Sequence, residues 1–184
     1  MITRERKLLL REPQILQSIK DRNGAGLKSI VWKRFGKKCF PCERPLRLED
    51  VQLDHTRPLA YLWPIDEYAT CLCDTCNNYK KDKFPCDVYN DEQLHRLADI
   101  TGLSYRALKN KDINGKSLQI ILDDISAFAN TWTARTFNST ARKVNELRPG
   151  INLFEILRQV DEDTYNRVIT ELSERPEGNG DNEG

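Results

Sequence analysis

Two like-spaced cysteine pairs, Cys39-x-x-Cys42 and Cys73-x-x-Cys76, are the residues of this chain best placed to do chemistry together. A short turn brings both sulfurs of such a pair to one side, and two turns complete the four thiolates of a tetrahedral zinc site. Pro41 and Pro45 favour a tight first turn. One pair alone could serve redox chemistry, whereas two pairs point to a structural Zn²⁺. Cys71 competes with Cys73 for the second pair, but the two-residue spacing to Cys76 favours Cys73. Cys71 and Cys86 are assigned to packing.

Between the pairs lies Asp54-His55, and just after the second pair comes Asn77-Asn78-Tyr79-Lys80. A lone histidine beside an apolar segment is usually structural. An acidic neighbour and a metal-pinned scaffold reverse that reading here. The order Cys39-x-x-Cys42, Leu53-Asp54-His55 with Pro58, then Leu72-Cys73-x-x-Cys76-Asn77-x-x-Lys80 resembles the zinc-containing HNH nucleases of ββα-metal fold, over about residues 36–83. The resemblance implies that His55 is the general base and that Asp54 and Asn77 hold a catalytic divalent metal. It implies equally that Cys39, Cys42, Cys73 and Cys76 bind structural zinc. The family often carries an Asn five residues before the first cysteine of the second pair, tying down the loop of the base. Tyr68 stands there in this chain, leaving Tyr68, Glu67 or a backbone carbonyl to orient His55.

The chemistry is coherent in its own terms. An imidazole, with a reference pKa of about 6.5, can take a proton from water near neutral pH. Oxygen donors from Asp54 and Asn77 suit a partly hydrated Mg²⁺ or Mn²⁺, which can polarise a phosphate and steady a leaving 3′ oxygen. Arg57 and Lys80 are candidate phosphate contacts, with a solvated surface charge as the plainer alternative for each.

These residues need a scaffold. Val51 to His55 reads as a short strand, Asn77 to Lys83 as a helix, and Pro58 and Pro64 bound a loop. Residues 4–20 read as a helix that Pro13 interrupts, Asn23-Gly24 as a turn, and 29–35 as a short helix or strand. Asp91 to Asn110 is helical with a break at Gly102. There Leu94, Leu97, Ala98, Leu103 and Leu108 fit a helix–turn–helix at 94–110, with Ser104 capping a second helix that would present Arg106, Lys109 and Asn110 to bases. A plain core hairpin, packed on the next helix, is the alternative. Leu118, Ile121, Ile125, Phe128 and Trp132 form one amphipathic stripe for the core. Two more helices cover Leu153–Val160 and Tyr165–Leu172. The expected fold class is α+β, mainly helical around a small zinc-bound ββα core. The expected divisions are a basic N-terminal region 1–35, a nuclease module 36–86, a helical region 87–175 and a disordered tail 176–184.

The 184 residues are 39% hydrophobic and 31% charged, enough for a buried core and unlike a disordered chain. The formal net charge of +1 hides a partition: residues 1–50 carry 13 basic and 6 acidic side chains, and residues 151–184 carry 3 and 9. A local basic face suffices for phosphate binding. No apolar run reaches the roughly 18 residues of a membrane span, and no secretory signal is evident. The expectation is a cytoplasmic endonuclease cutting double-stranded DNA at a specific site, restriction-type, as a homodimer because paired cuts need two centres. A non-catalytic zinc module that binds nucleic acid, or a strand-nicking enzyme of a phage or mobile element, are the alternatives.

Overall fold

The computed structural model describes residues 26–64 and 67–174. The expected helix over 4–20, the Asn23-Gly24 turn and the tail at 176–184 lie outside the described residues. The fold is α+β and mainly helical, with one two-stranded sheet among the described residues. The chain divides into two compact units between Asp112 and Ile113.

In the first unit, Leu27 and Val31 recur four residues apart and are both buried. That period decides for helix over strand in α1 (Leu27–Arg34). The Trp32 indole N–H donates to the Leu46 carbonyl at 2.8 Å, fastening α1 to the chain leaving the first cysteine turn. Strand β1 (Gln52–Asp54) pairs antiparallel with β2 (Thr70–Leu72), setting Gln52 opposite Leu72, Leu53 opposite Cys71 and Asp54 opposite Thr70. The long connection between them folds through a 3₁₀ turn at Leu59–Tyr61. Helix α2 (Asp74–Lys80) follows β2 directly and packs on β1. A second 3₁₀ turn at Pro85–Asp87 leads to α3 (Asp91–Thr101) and α4 (Tyr105–Lys109).

The α3–α4 hairpin forms as its sequence suggests. Asn90 and Gln93 make a reciprocal capping box, Gly102 ends α3 with a left-handed φ of 81°, and Ser104 accepts from the Ala107 N–H. It packs on the elements that precede it in the first unit. Leu94, Leu97, Leu103 and Leu108 join Val31, Phe40, Val51 and Leu72 in one apolar cluster. Leu97 and Leu108 are fully buried, each worth about 1.5–3 kcal/mol. The hairpin therefore belongs to the unit of the cysteine pairs, and the expected division at residue 87 falls within one core. Phe40 is the junction, meeting Phe35 edge-on at 5.8 Å and Tyr89 at 5.1 Å.

The second unit is a set of consecutive helices: α5 (Gly115–Asp123), α6 (Ile125–Thr131), α7 (Ala134–Leu147), α8 (Leu153–Val160) and α9 (Glu162–Ser173). The stripe from Leu118 to Trp132, expected as one helix, is two. Asp124 leaves the helical region (φ −149°, ψ 68°), and its carboxylate accepts from the Ala127 N–H at 3.0 Å, starting α6 afresh. The apolar spacing survives the break: Leu118, Ile121, Ile125 and Ala129 are buried, with Phe128 and Trp132 half-buried at the edge. Phe137 sits at the centre of this core, 5.9 Å from Phe128 and 5.1 Å from Phe154.

Candidate functional site

The cysteine pairs converge. The Sγ atoms of Cys39, Cys42, Cys73 and Cys76 all lie within 4.8 Å of one another, with Cys42 and Cys73 at 3.9 Å. Four thiolates at about 2.3 Å from a tetrahedral zinc stand about 3.8 Å apart, so the cluster matches the ion by distance and donor type. The first turn is shaped by the Cys39 N–H donating to the Arg44 carbonyl and the Glu43 N–H donating to the Cys39 carbonyl, both at 2.9 Å. The Phe40 N–H bonds the Cys71 carbonyl at 2.9 Å, and the Cys73 N–H points at the Cys39 sulfur at 3.2 Å. Burial raises the Cys73 thiol, but backbone and side-chain hydrogen bonds from Cys76 and its neighbours outweigh that and bring it down to about 7. Burial pushes Cys76 up to about 11 and Cys39 higher still. The cluster can hold a structural metal such as zinc, which would displace the remaining thiol protons. Cys71 stands outside it, fully buried, as the spacing argument requires.

The cysteine cluster lies at the start of α2, and α2 packs on β1, which ends at Asp54. Lys80, expected at the surface against phosphate, is instead only 1% exposed. It extends from α2 under β1, where its ammonium pairs with Asp54 Oδ2 at 2.8 Å and donates to the His55 carbonyl at 2.9 Å. A lysine that deep must be matched by charge and hydrogen bonds, and Asp54 supplies the charge. Burial pushes the Asp54 carboxyl up, and the Lys80 ammonium opposes that shift. Asp54 and His55 are 4% and 7% exposed.

The loop after His55 is held by hydroxyls rather than by an asparagine. Thr56 Oγ1 lies 2.5 Å from both the Tyr68 carbonyl and Thr70 Oγ1, closing residues 55–57 against the entry to β2. The chain around His55 is thus held by the Tyr68 backbone carbonyl through Thr56 and by Lys80 through the His55 carbonyl. Neither Thr56 nor Thr70 carries a spacing signal, because a hydroxyl contact across 14 residues leaves no period in a sequence.

The remaining candidates fall as follows. Asn77 is half-buried on α2, one turn before Lys80 and so on the neighbouring stripe of the helix. Arg57 lies over Trp63, its guanidinium carbon 3.5 Å from the ring centre, and the Trp63 N–H donates to the Asp112 carbonyl at 2.8 Å. On α4, Lys109 is paired with Asp91, and Asn110 is in extended conformation beyond the last helical residue. Of the three expected base-reading residues, only Arg106 projects from the helix without such a tie among the described residues.

Lys81 carries backbone strain. It follows Lys80 with φ 46° and ψ −127°, a combination that glycine adopts far more readily, and its side chain is exposed. Lys81→Gly is expected to stabilise the metal-loaded protein by about 1 kcal/mol, the relief of strain being partly offset by the freer unfolded chain. Urea unfolding of the two proteins checks this, and an unchanged or lowered midpoint refutes it.

No protein-family model, curated protein or solved structure matches this chain. No helix among the described residues is long and apolar enough to cross a membrane.

Proposed function

We propose that this chain is an HNH-type endonuclease that hydrolyses phosphodiester bonds of double-stranded DNA in a metal-dependent reaction. The carrying observation is the Asp54-His55 pair at the end of β1, clamped by Lys80 to the helix that leaves the second cysteine pair. In this reading zinc on Cys39, Cys42, Cys73 and Cys76 is structural and sets the start of α2. His55 accepts the proton of a water as its oxygen attacks phosphorus. Mg²⁺ or Mn²⁺ on Asp54 and Asn77, when bound, supplies charge neutralisation at the phosphate. Lys80 takes no phosphate; it holds the carboxylate and the backbone of the base in register. Arg57, stacked on Trp63, is the phosphate contact that remains. One centre per chain makes a homodimer the arrangement for cutting both strands at one site, as a restriction-type enzyme does. Reduced thiols at the metal fit a cytoplasmic setting.

A second reading has its own support. A carboxylate already neutralised by Lys80, beside a histidine 7% exposed, is what a non-catalytic zinc module binding nucleic acid would also contain. Incubating the purified, zinc-loaded chain with supercoiled plasmid separates them. Nicked or linear product should form with added Mg²⁺ or Mn²⁺ and cease with a mild chelator that leaves zinc bound. Intact plasmid under all these conditions refutes the nuclease reading, and nicked product alone identifies a strand-nicking enzyme.

A further inference from the structure

We propose that α7, in the second unit, is the helix that reads base edges in the major groove of a DNA duplex, with Arg135, Asn138 and Arg142 as the reading side chains. The inference rests on the proposed DNA substrate and assigns its recognition to a different helix from the one the sequence pointed to.

Helix α7 is the longest described helix, 14 residues or about 21 Å. One face is committed: Ala134, Phe137, Thr140, Ala141 and Val144 are buried against the neighbouring helices. Arg135, Ser139 and Arg142 fall on the opposite face and are exposed, and Asn138 lies at its edge. That face carries no acid until Glu146, which pairs with Lys143 at 3.0 Å. Most arginines of the described chain are engaged: Arg47 with Asp50, Arg96 with Phe40 and Glu43, Arg158 with Glu155, Arg167 with Glu171. Arg135 and Arg142 make no ion pair or side-chain hydrogen bond among the described residues. Two guanidiniums left without a partner on one stripe present charge outward to an anion.

Charge distribution selects the partner. Residues 133–150 carry four basic side chains and one acid, whereas residues 151–174 carry two basic and six acidic ones. The anion is therefore met at α7 and not at α8 or α9. The spacing selects a duplex: seven residues separate Arg135 from Arg142, about 10 Å along the axis, which matches three base steps of about 3.4 Å. Arginine pairs with guanine edges and asparagine with adenine edges, so the stripe is chemically able to read sequence and not only phosphate. Helix α6 precedes α7 across the two-residue link Trp132-Thr133 and packs on it, and Thr133 caps α7 through the Thr136 N–H. In helix–turn–helix proteins the second helix of such a pair enters the groove with its N-terminal residues at the bases. By comparison α4 has five residues and one untied candidate, Arg106.

The test is selection of bound duplexes from a random-sequence 30-base-pair library by the full, zinc-loaded chain, beside plasmid cleavage by the same protein. Arg135→Gln and Arg142→Gln are run in parallel, with thermal unfolding to show that they fold as the parent does. The parent should enrich a defined sequence, and each variant should lose on the order of tenfold selectivity at one or two positions of it. Enrichment of the same sequence with the same selectivity by both variants overturns the inference and leaves the nuclease reading intact. Cleavage by the parent without any enriched sequence does the same. A parent that neither binds nor cleaves DNA removes both.

Discussion

Cys76→Ala, or removal of the metal from the parent, is expected to unfold the first unit. Zinc bound by four thiolates contributes an apparent 10–16 kcal/mol or so to small domains, as much as or more than the roughly 5–15 kcal/mol by which domains are stable at all. Here the dependence is direct, because α2 has no side-chain cap and its N-cap residue, Cys73, is inside the cluster. Without the metal, the start of α2, its packing on β1 and the Lys80–Asp54 pair lose their common anchor. Elemental analysis of purified protein should return one zinc per chain. Chelation strong enough to release it should abolish the cooperative unfolding transition of this unit. The metal should also be lost more readily as pH falls, since Cys39 and Cys76 hold their protons tightly once the metal leaves. Purified protein without zinc, or a chelated protein with the unfolding profile of the parent, contradicts the assignment.

His55→Ala should slow plasmid cleavage about 10²–10⁴-fold, the usual contribution of a general base, while leaving duplex binding within a few-fold of the parent. The separation is expected because the clamp on this residue acts through its backbone: Lys80 donates to the His55 carbonyl, which alanine retains. The imidazole is nevertheless buried, so thermal unfolding of the variant must accompany the rate, and His55→Asn provides a variant with less lost volume. Cleavage at more than half the parent rate by a folded variant removes His55 from the base role.

Much of the site was legible because its determinants are local. Two-residue cysteine spacing, an Asp-His step and the Asn90 and Ser104 caps are short-range patterns, and the structure brings the four sulfurs together as the spacing implies. Lys80 was misjudged because the same side chain can lie on a surface or run inward. Only the buried Asp54, 26 residues upstream, decides between them. The boundary at Asp112 was missed for a related reason: the core that unites Val31 with Leu97 and Leu108 is built from positions far apart in sequence, and composition changes at Pro85 without a change of core. The break at Asp124 was readable in principle, since two successive aspartates before Ile125 offer a helix start that the apolar period concealed.

The five helices of the second unit share one device. Each begins on a side chain that accepts its first free N–H groups: Asn114, Asp124, Thr133, Asn152 and Asp161. In the first unit, α1 and α2 have none. A helix with its own start signal defines its register before it meets a partner, and here the partners are mostly neighbours along the chain. Such local topologies fold in microseconds to milliseconds, whereas the first unit must also bring residues 39 and 76 together, around zinc where the cluster holds it. With zinc in that cluster, metal supply would act as a clock on the first unit only. In a zinc-starved cell, the helix bearing Arg135 and Arg142 would acquire structure on schedule while the Asp54-His55 segment waited.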